Sequence, residues 1–220
     1  MSRPTLDAVE VRVAGALVEK ALATPDGYPL SLNALVAACN QKSGREPVTD
    51  LSERDVTAAL DRLGRRGLVG TTSGSGHRVA KFRHNLDRAL DLSARELAAL
   101  AVLMLRGPQT PGEVRSRSGR MADFADVSDA EEALWLLGDR DEPLAVQLAR
   151  GPGQSADRYA HALSGEPDLE ALAASAPVAS APAASGAAGE AGGLAERVAA
   201  LEEEVARLAS ELAAFRRQFE

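Results

Sequence analysis

The hydrophobic positions of this chain follow the same order of elements twice, once in residues 6–84 and again in residues 92–163. In each copy, three segments with apolar residues at helical spacing precede two short segments of strand character that a turn separates. When the first copy is shifted by 74 positions, the apolar residues of its third helix fall on those of the second: Ala59 on Ala133, Leu60 on Leu134 and Leu63 on Leu137. The pattern predicts two related modules of three helices and a β-hairpin.

Residues that cap helices support this division of the chain. Side chains suited to the N-cap position precede five of the predicted helical segments: Ser31, Ser52, Ser93, Thr110 and Asp126. Three helices followed by a hairpin form the outline of a winged helix, which is a helix-turn-helix with a hairpin wing. We therefore expect a mainly α protein with small β-hairpins (α+β), in which residues 1–90 and 91–165 are tandem winged-helix domains. Modules of this size have small cores, which favours packing of one against the other.

The C-terminal part has a different character. Residues 173–193 consist almost entirely of Ala, Gly, Pro and Ser, which predicts a flexible linker over residues 166–193. Residues 194–220 then predict a coiled-coil helix with an unbroken heptad seam, formed by Leu194, Val198, Leu201, Val205, Leu208, Leu212, Phe215 and Phe219. Valine at a and leucine at d favour a parallel two-stranded coil, so we expect a homodimer. The alternative is a single amphipathic helix that docks on its own chain.

Several segments resemble the YceH-like family of bacterial proteins. They are Thr-Pro-Asp-Gly-Tyr-Pro-Leu-Ser-Leu-Asn-Ala-Leu at 24–35, Ala-Cys-Asn-Gln-Lys-Ser at 38–43, Ala-Val-Leu-Met-Leu-Arg-Gly-Pro-Gln-Thr-Pro-Gly-Glu at 101–113, Arg-Tyr-Ala-His at 158–161 and the C-terminal heptads. The resemblance covers nearly the whole chain except the linker, and it implies tandem winged-helix domains. It implies no activity and no site residues, because that family is functionally uncharacterised. Trp135 and Leu136 depart from it, since charged residues are usual there.

Composition and charge narrow the function classes. The longest apolar run, Leu97–Leu105, is too short to cross a bilayer, and the N-terminal residues lack the apolar stretch of a signal peptide. We therefore expect a cytoplasmic protein without membrane contact. The formal net charge is −7, yet residues 1–90 carry +3, residues 91–164 carry −4 and residues 165–220 carry −6. This change of sign indicates that the two modules contact different partners.

Motifs for chemistry are missing from the sequence. It contains no phosphate-binding Gly-x-x-x-x-Gly-Lys loop, no Gly-x-Ser-x-Gly elbow and no His-Glu-x-x-His helix. The lone Cys39 lies among apolar residues and is expected to be a buried hydrophobe. His77 and His84 bracket one predicted strand, but no third ligand accompanies them. We expect no enzyme activity, no cofactor and no metal.

Basic residues point to double-stranded DNA as a partner of the first module. In a helix-turn-helix the third helix enters the major groove and the wing contacts the backbone. Basic side chains on the third helix, the turn before it and the wing form a predicted phosphate-binding surface: Lys42, Arg45, Arg54, Arg62, Arg65, Arg78, Lys81 and Arg83. Asn40 and Gln41 could join it, although amides in turns usually make local contacts.

The equivalent helix of the second module favours a protein partner. Asp129, Glu131 and Glu132 make it acidic, while Trp135 and Leu136 replace the outward-facing Asp61 and Arg62. Such a face is typical of a protein interface, in which tryptophan is a favoured anchor. The alternative is that Trp135 completes the core of its own module. Our hypothesis is a dimeric DNA-binding or transcription-regulatory protein. The alternative function is a protein-interaction adaptor without DNA contact.

Overall fold

The helices begin where the sequence supplies a cap. A computed structural model describes residues 4–72, 79–150 and 156–165. Asp7, Ser52, Ser93 and Thr110 each form a capping box with an acidic residue three positions later, and Ser31 and Asp126 accept one N-cap hydrogen bond each. These contacts satisfy backbone N–H groups that a helix start leaves without partners. The five caps expected from the sequence are thereby confirmed.

The first half contains α1 (Ala8–Ala23), β1 (Leu30–Ser31), α2 (Leu32–Cys39), α3 (Glu53–Arg65), β2 (Val69–Thr72), β3 (Lys81–His84) and the short α4 (Leu86–Ala89). Strands β2 and β3 form the expected hairpin, with Val69 opposite His84 and Thr72 opposite Lys81. Strand β1 pairs antiparallel with the other edge of β3, where Leu30 lies opposite Phe82. This third strand was not predicted, because two residues are too few to show a periodicity.

The second half contains α5 (Ala94–Arg106), α6 (Pro111–Ser118), α7 (Val127–Gly138), β4 (Ala145–Leu148) and β5 (Arg158–His161). Strands β4 and β5 form an antiparallel hairpin in which Ala145 lies opposite His161. Gln109 bridges Tyr159 with two backbone hydrogen bonds of 2.8 and 2.9 Å, just before the cap of α6. In the first half, β1 pairs in the same way with the second strand of the hairpin. The repeat therefore includes this additional pairing as well as the hairpin.

The predicted class, mainly α with small antiparallel β-hairpins, is confirmed. The 74-residue shift also holds, because it carries the start of α3 at Glu53 onto the start of α7 at Val127. Strand β4 does not bury every second residue, because its two ends, Ala145 and Leu148, are the buried positions. Leu144 is buried before the strand begins, where its N–H donates to Leu137 O over 2.8 Å, whereas Val146 is half-buried.

Two helices form the centre of a single core. Residues 10–18 of α1 and 96–105 of α5 are buried all round, and α1 packs against both α3 and α5. Gly15 permits this approach, because a Cβ there would lie 3.1 Å from Met104 Cβ and Leu105 Cγ. The buried residues of both halves form one continuous cluster. The predicted boundary at residue 90 therefore separates two copies of a pattern without separating their cores.

The linker predicted at 166–193 and the heptad seam of 194–220 lie outside the described residues. Within the part that the structure describes, no helix is long and apolar enough to span a bilayer.

Replacing a buried leucine of either repeat will destabilise the whole unit. We expect Leu60→Ala and Leu134→Ala each to lower the free energy of unfolding by about 2–5 kcal/mol, because each leaves a cavity in the shared core. Leu136→Ala is the matched control, because Leu136 lies on the same helix as Leu134 but is 39% exposed. It should lower the free energy of unfolding by less than about 1 kcal/mol. Urea denaturation measures all three. Separate transitions for the two halves would contradict the continuous core.

Candidate nucleic-acid interface

Helix α3 presents a narrow polar face opposite its buried side. Its apolar residues, Val56, Ala59, Leu60 and Leu63, pack inward. Arg54, Asp61 and Arg65 are exposed, and steps of seven and eleven residues place Asp61 and Arg65 within about 20° of Arg54 around the helix. Neither arginine forms an ion pair with any residue that the structure describes. This line leaves two cationic side chains for an external anion.

The N-terminus of α3 is held by a local carboxylate. Asp55 Oδ2 accepts from Ser52 Oγ over 2.6 Å and from Ser52 N over 3.0 Å. These hydrogen bonds, first from the hydroxyl and then from the backbone, lower the pKa of Asp55. Asp55 therefore completes the capping box, and it is not part of the outward line.

Arg62 belongs to a contact inside the chain. Its Nη2 lies 2.6 Å from Asp7 Oδ2 and its Nε lies 3.2 Å from Glu10 Oε1, while Arg66 Nη1 donates to Thr5 O over 2.6 Å. Glu10 is buried, and Arg62 retains about a third of its exposure. These ion pairs fasten α3 to the start of α1. The predicted contact between Arg62 and DNA thus competes with a structural role.

Arg45 is buried, and its predicted place on an exposed surface is wrong. It is 5% exposed, its Nη2 lies 2.5 Å from Glu19 Oε2, and its Nε donates to Ala38 O over 3.0 Å. Burial alone would raise the pKa of Glu19, but the hydrogen bonds and charges of Arg45 and Lys20 together outweigh burial and lower it. Burying a guanidinium without a countercharge would be costly. The ion pair with Glu19 therefore explains how an arginine can occupy this buried position.

The remaining predicted residues flank α3. Lys42 and Arg83 are exposed and Lys81 is half-buried, whereas Arg78 lies outside the described residues. Asn40 makes local contacts, since its amide donates to Leu51 O and accepts from Leu51 N, each over 2.8 Å. Gln41 Oε1 accepts from Arg45 over 3.0 Å. The local role expected for Asn40 at the end of a helix is confirmed, whereas Gln41, expected to be solvated, is half-buried beside Arg45.

A second basic groove is formed by residues far apart in the sequence. Its volume is about 520 Å³, and its lining includes Lys20, Arg106, Arg117 and Arg120 together with Glu19. Burial, followed by the charge of Arg117, lowers the pKa of Arg106. The sequence presented Arg117 and Arg120 only as an isolated strip. The sequence did carry a signal for the other two cations of the groove. Lys20 and Arg106 lie in the last turns of α1 and α5, where the helix dipole favours positive charge.

Helix α7 carries an apolar face where α3 carries a charged one. Trp135 is 56% exposed, so it does not complete the core of its own module. It borders a groove of about 310 Å³ whose lining also includes Pro143, Val146 and Gln147. Leu136 beside it is also exposed. The predicted assignment of this pair to a protein interface stays a prediction, now with both side chains accessible.

The nucleophilic and metal-binding side chains are dispersed. Among the described residues there is no group of three or more His, Cys, Asp or Glu that could hold a metal ion. His84 Nδ1 lies 3.6 Å from Asp87, and His77 lies outside the described part. Cys39 is buried, as expected, and burial raises the pKa of its thiol to about 11. A neutral, enclosed thiol is a poor nucleophile.

Comparison with known proteins supports the resemblance noted from the sequence. A family model described as "Protein of unknown function, DUF480" matches residues 6–154. The UPF0502 protein of Citrifermentans bemidjiense is 55% identical over 170 residues, which are 77% of this chain and 79% of that protein. The UPF0502 protein of Geotalea uraniireducens is 54% identical, and the match covers 73% of each of the two chains. That of Chromobacterium violaceum is 52% identical, with 77% of each chain covered.

Acidification will destabilise the protein through His161. Burial lowers the pKa of His161 from 6.5 to about 4. Between these two pH values the imidazole is therefore protonated in the unfolded chain and neutral in the folded chain. Above pH 6.5 the imidazole is neutral in both states and protonation brings no penalty, whereas stability is lost as the pH falls toward 4, by at most about 3 kcal/mol. Urea denaturation across this range measures the loss. His161→Phe should make the profile less steep and leave the part due to His84, whose pKa burial also lowers; an unchanged slope would contradict the assignment.

Proposed function

The chain belongs to the DUF480, or UPF0502, family of unknown function, and from its geometry we propose that it is a non-enzymatic tandem winged-helix protein of the cytoplasm. In this proposal it regulates transcription as a dimer, with its first half contacting double-stranded DNA. The family descriptions name no activity. The proposal therefore rests on what α3 and α7 present to solvent.

The observation that supports DNA contact is the outward line of α3. Arg54 and Arg65 are eleven residues apart, which corresponds to about 16 Å along a helix. The major groove is about 12 Å wide, so in our proposal α3 crosses it at an angle and brings one arginine to the phosphates on each side. Thr57 and Asp61 then lie between them, and a carboxylate there is suited to accept from the amino group of cytosine. Lys42, Lys81 and Arg83 extend the positive charge beside this helix.

The other predicted residues take secondary places. Arg62 already pairs with Asp7 and Glu10, so a phosphate would have to replace an existing partner. Arg45 is buried against Glu19 and leaves the proposed surface. The revised surface is thus smaller than the sequence suggested, and it depends mainly on the two arginines at the ends of α3.

Neutralising these two arginines will weaken DNA binding and its dependence on salt. We expect Arg54→Gln/Arg65→Gln to lower the slope of log affinity against log salt by about 2, because each arginine neutralises about one phosphate. Fluorescence anisotropy with a labelled duplex of mixed sequence measures the slope. The matched control is Arg88→Gln/Arg150→Gln, which removes the same charge from exposed positions away from α3.

The control pair should retain the wild-type slope. Equal slopes for both double variants would contradict the α3 surface and leave only general attraction to a polyanion. If the wild-type protein binds no duplex even at low salt, DNA contact is excluded.

A second candidate function is a protein-interaction adaptor. The specific observation in its favour is the exposure of Trp135 and Leu136 on α7, at the positions where α3 carries Asp61 and Arg62. An exposed tryptophan beside a groove matches the anchors that dominate protein interfaces. In the regulatory proposal the same face serves a protein partner, so the two functions differ in whether the first half contacts DNA.

Dimerisation is expected to depend on the heptad seam. Leu201→Asp/Leu208→Asp places two charges at d positions and should convert the dimer to a monomer in sedimentation-velocity measurements. Ala199→Asp/Ala206→Asp adds the same charges at b positions on the outer face and should leave the dimer intact. Trp135→Ala/Leu136→Ala should also remain dimeric. Dissociation of this last variant alone would instead make α7 the dimer interface.

A further inference from the structure

A cavity of about 230 Å³ lies where the two halves of the described unit meet. Its walls come from the start of α1, the segment between α2 and α3, the end of α5 and the segment that includes β5. The apolar part of the lining includes Val9, Val11, Leu51 and Met104, and its polar part includes Arg12, Thr49 and His161. A concave, mostly apolar space with a few polar groups is the usual form of a small-molecule site.

Arg12 brings an uncompensated positive charge to this cavity. It is 5% exposed, and its contacts are neutral: Nη2 donates to Pro47 O over 2.7 Å and Nη1 donates to Cys39 O over 3.3 Å. Its Nε has no hydrogen-bond partner, and no carboxylate of the described residues forms an ion pair with it. Buried charges are normally paired, so within the described part of the chain this guanidinium lacks an anion.

Arg45 provides the contrast within the same half of the chain. It is equally buried, but Glu19 supplies its countercharge at 2.5 Å. Burial, followed by the charge of Arg45, lowers the pKa of Arg12, and the neighbouring Cys39 thiol, whose pKa is raised to about 11, supplies no countercharge near neutral pH. The fold thus compensates one buried arginine and leaves the other with unused binding capacity.

His161 adds a second unsatisfied group. It lies in β5 and lines the cavity, and its buried Nδ1 has no hydrogen-bond partner among the described residues. An imidazole can donate a hydrogen bond from this atom. Glu46, the one acidic side chain among the described lining residues, is exposed to solvent, where its charge is screened.

We propose that this cavity binds a small monocarboxylate with an apolar body, whose carboxylate pairs with Arg12 and contacts His161 while its carbon skeleton lies against Val9, Val11, Leu51 and Met104. The volume restricts the ligand to a compact acid, such as a short branched or single-ring carboxylate. Planar guanidinium groups are well suited to carboxylates. Because the walls come from both halves, bound ligand would stabilise their junction and act as an effector.

This site does not depend on DNA contact, because its test contains no nucleic acid. The full chain is titrated by calorimetry with acetate, isovalerate and benzoate, and with benzamide as the neutral match of benzoate. We expect isovalerate or benzoate to bind, and the better of them to bind at least about tenfold more tightly than acetate and benzamide, since the charge-assisted hydrogen bonds and the apolar contacts both contribute. No binding of any carboxylate up to about 10 mM, the range of the weakest specific ligands, would overturn the proposal.

Variants locate the binding within the chain. Arg12→Gln should abolish the preference for benzoate over benzamide, and His161→Phe should weaken carboxylate binding about fivefold by removing one hydrogen bond. The matched control is His84→Phe, the same change at a histidine outside the cavity, and it should bind as the wild type does. Equal loss in the two histidine variants would overturn the proposal. If Arg12→Gln fails to fold, the probe series and the histidine pair still decide.

Discussion

The packing of α1 against α5 is the constraint on which the rest of the structure depends. Residues 10–18 of α1 and 96–105 of α5 are buried on all sides, so these central stretches would expose apolar surface to water if the two helices separated. Gly15 brings the helix axes close, because a side chain there would press on Met104 and Leu105. Modules of this size have little core of their own. Sharing these helices gives both halves one core and fixes the surfaces on either side of it.

The same packing decides which charges remain available. Glu10 and Glu19 extend from the central helix α1 and take up Arg62 and Arg45. Arginines at these positions brace α2, α3 and the connecting turn, whereas Arg54 and Arg65 are exposed and form no ion pair within the described part of the chain. Proximity to α1 thus separates structural arginines from those that we propose to contact DNA.

The repeat shows how one scaffold supports two kinds of surface. Helices α3 and α7 bury equivalent residues and begin at equivalent positions, so packing imposes the same inward face on both. Their outward faces are not constrained by packing and have diverged, one toward charge and the other toward Trp135 and Leu136. In our proposal this divergence separates contact with a polyanion from contact with a polypeptide. The junction of the halves, lined by Arg12 and His161, offers a place where a small acid could influence both.

The sequence by itself determined the repeat, the helix starts and the mixed α/β class, because caps and hydrophobic periodicity act between residues a few positions apart. It also identified the buried residues of α3 correctly, but it placed Arg62 on the outward face although that side chain pairs with Asp7 and Glu10 of α1 and its cap. It did not determine which arginines remain exposed and unpaired. Arg45 and Arg54 are both basic residues in or just before the third helix, but the approach of α1 places Glu19 beside Arg45 and leaves Arg54 exposed. The third strand at Leu30, the basic groove and the cavity at Arg12 likewise combine segments distant in the chain. Such features depend on how helices pack, and local patterns carry no record of that geometry.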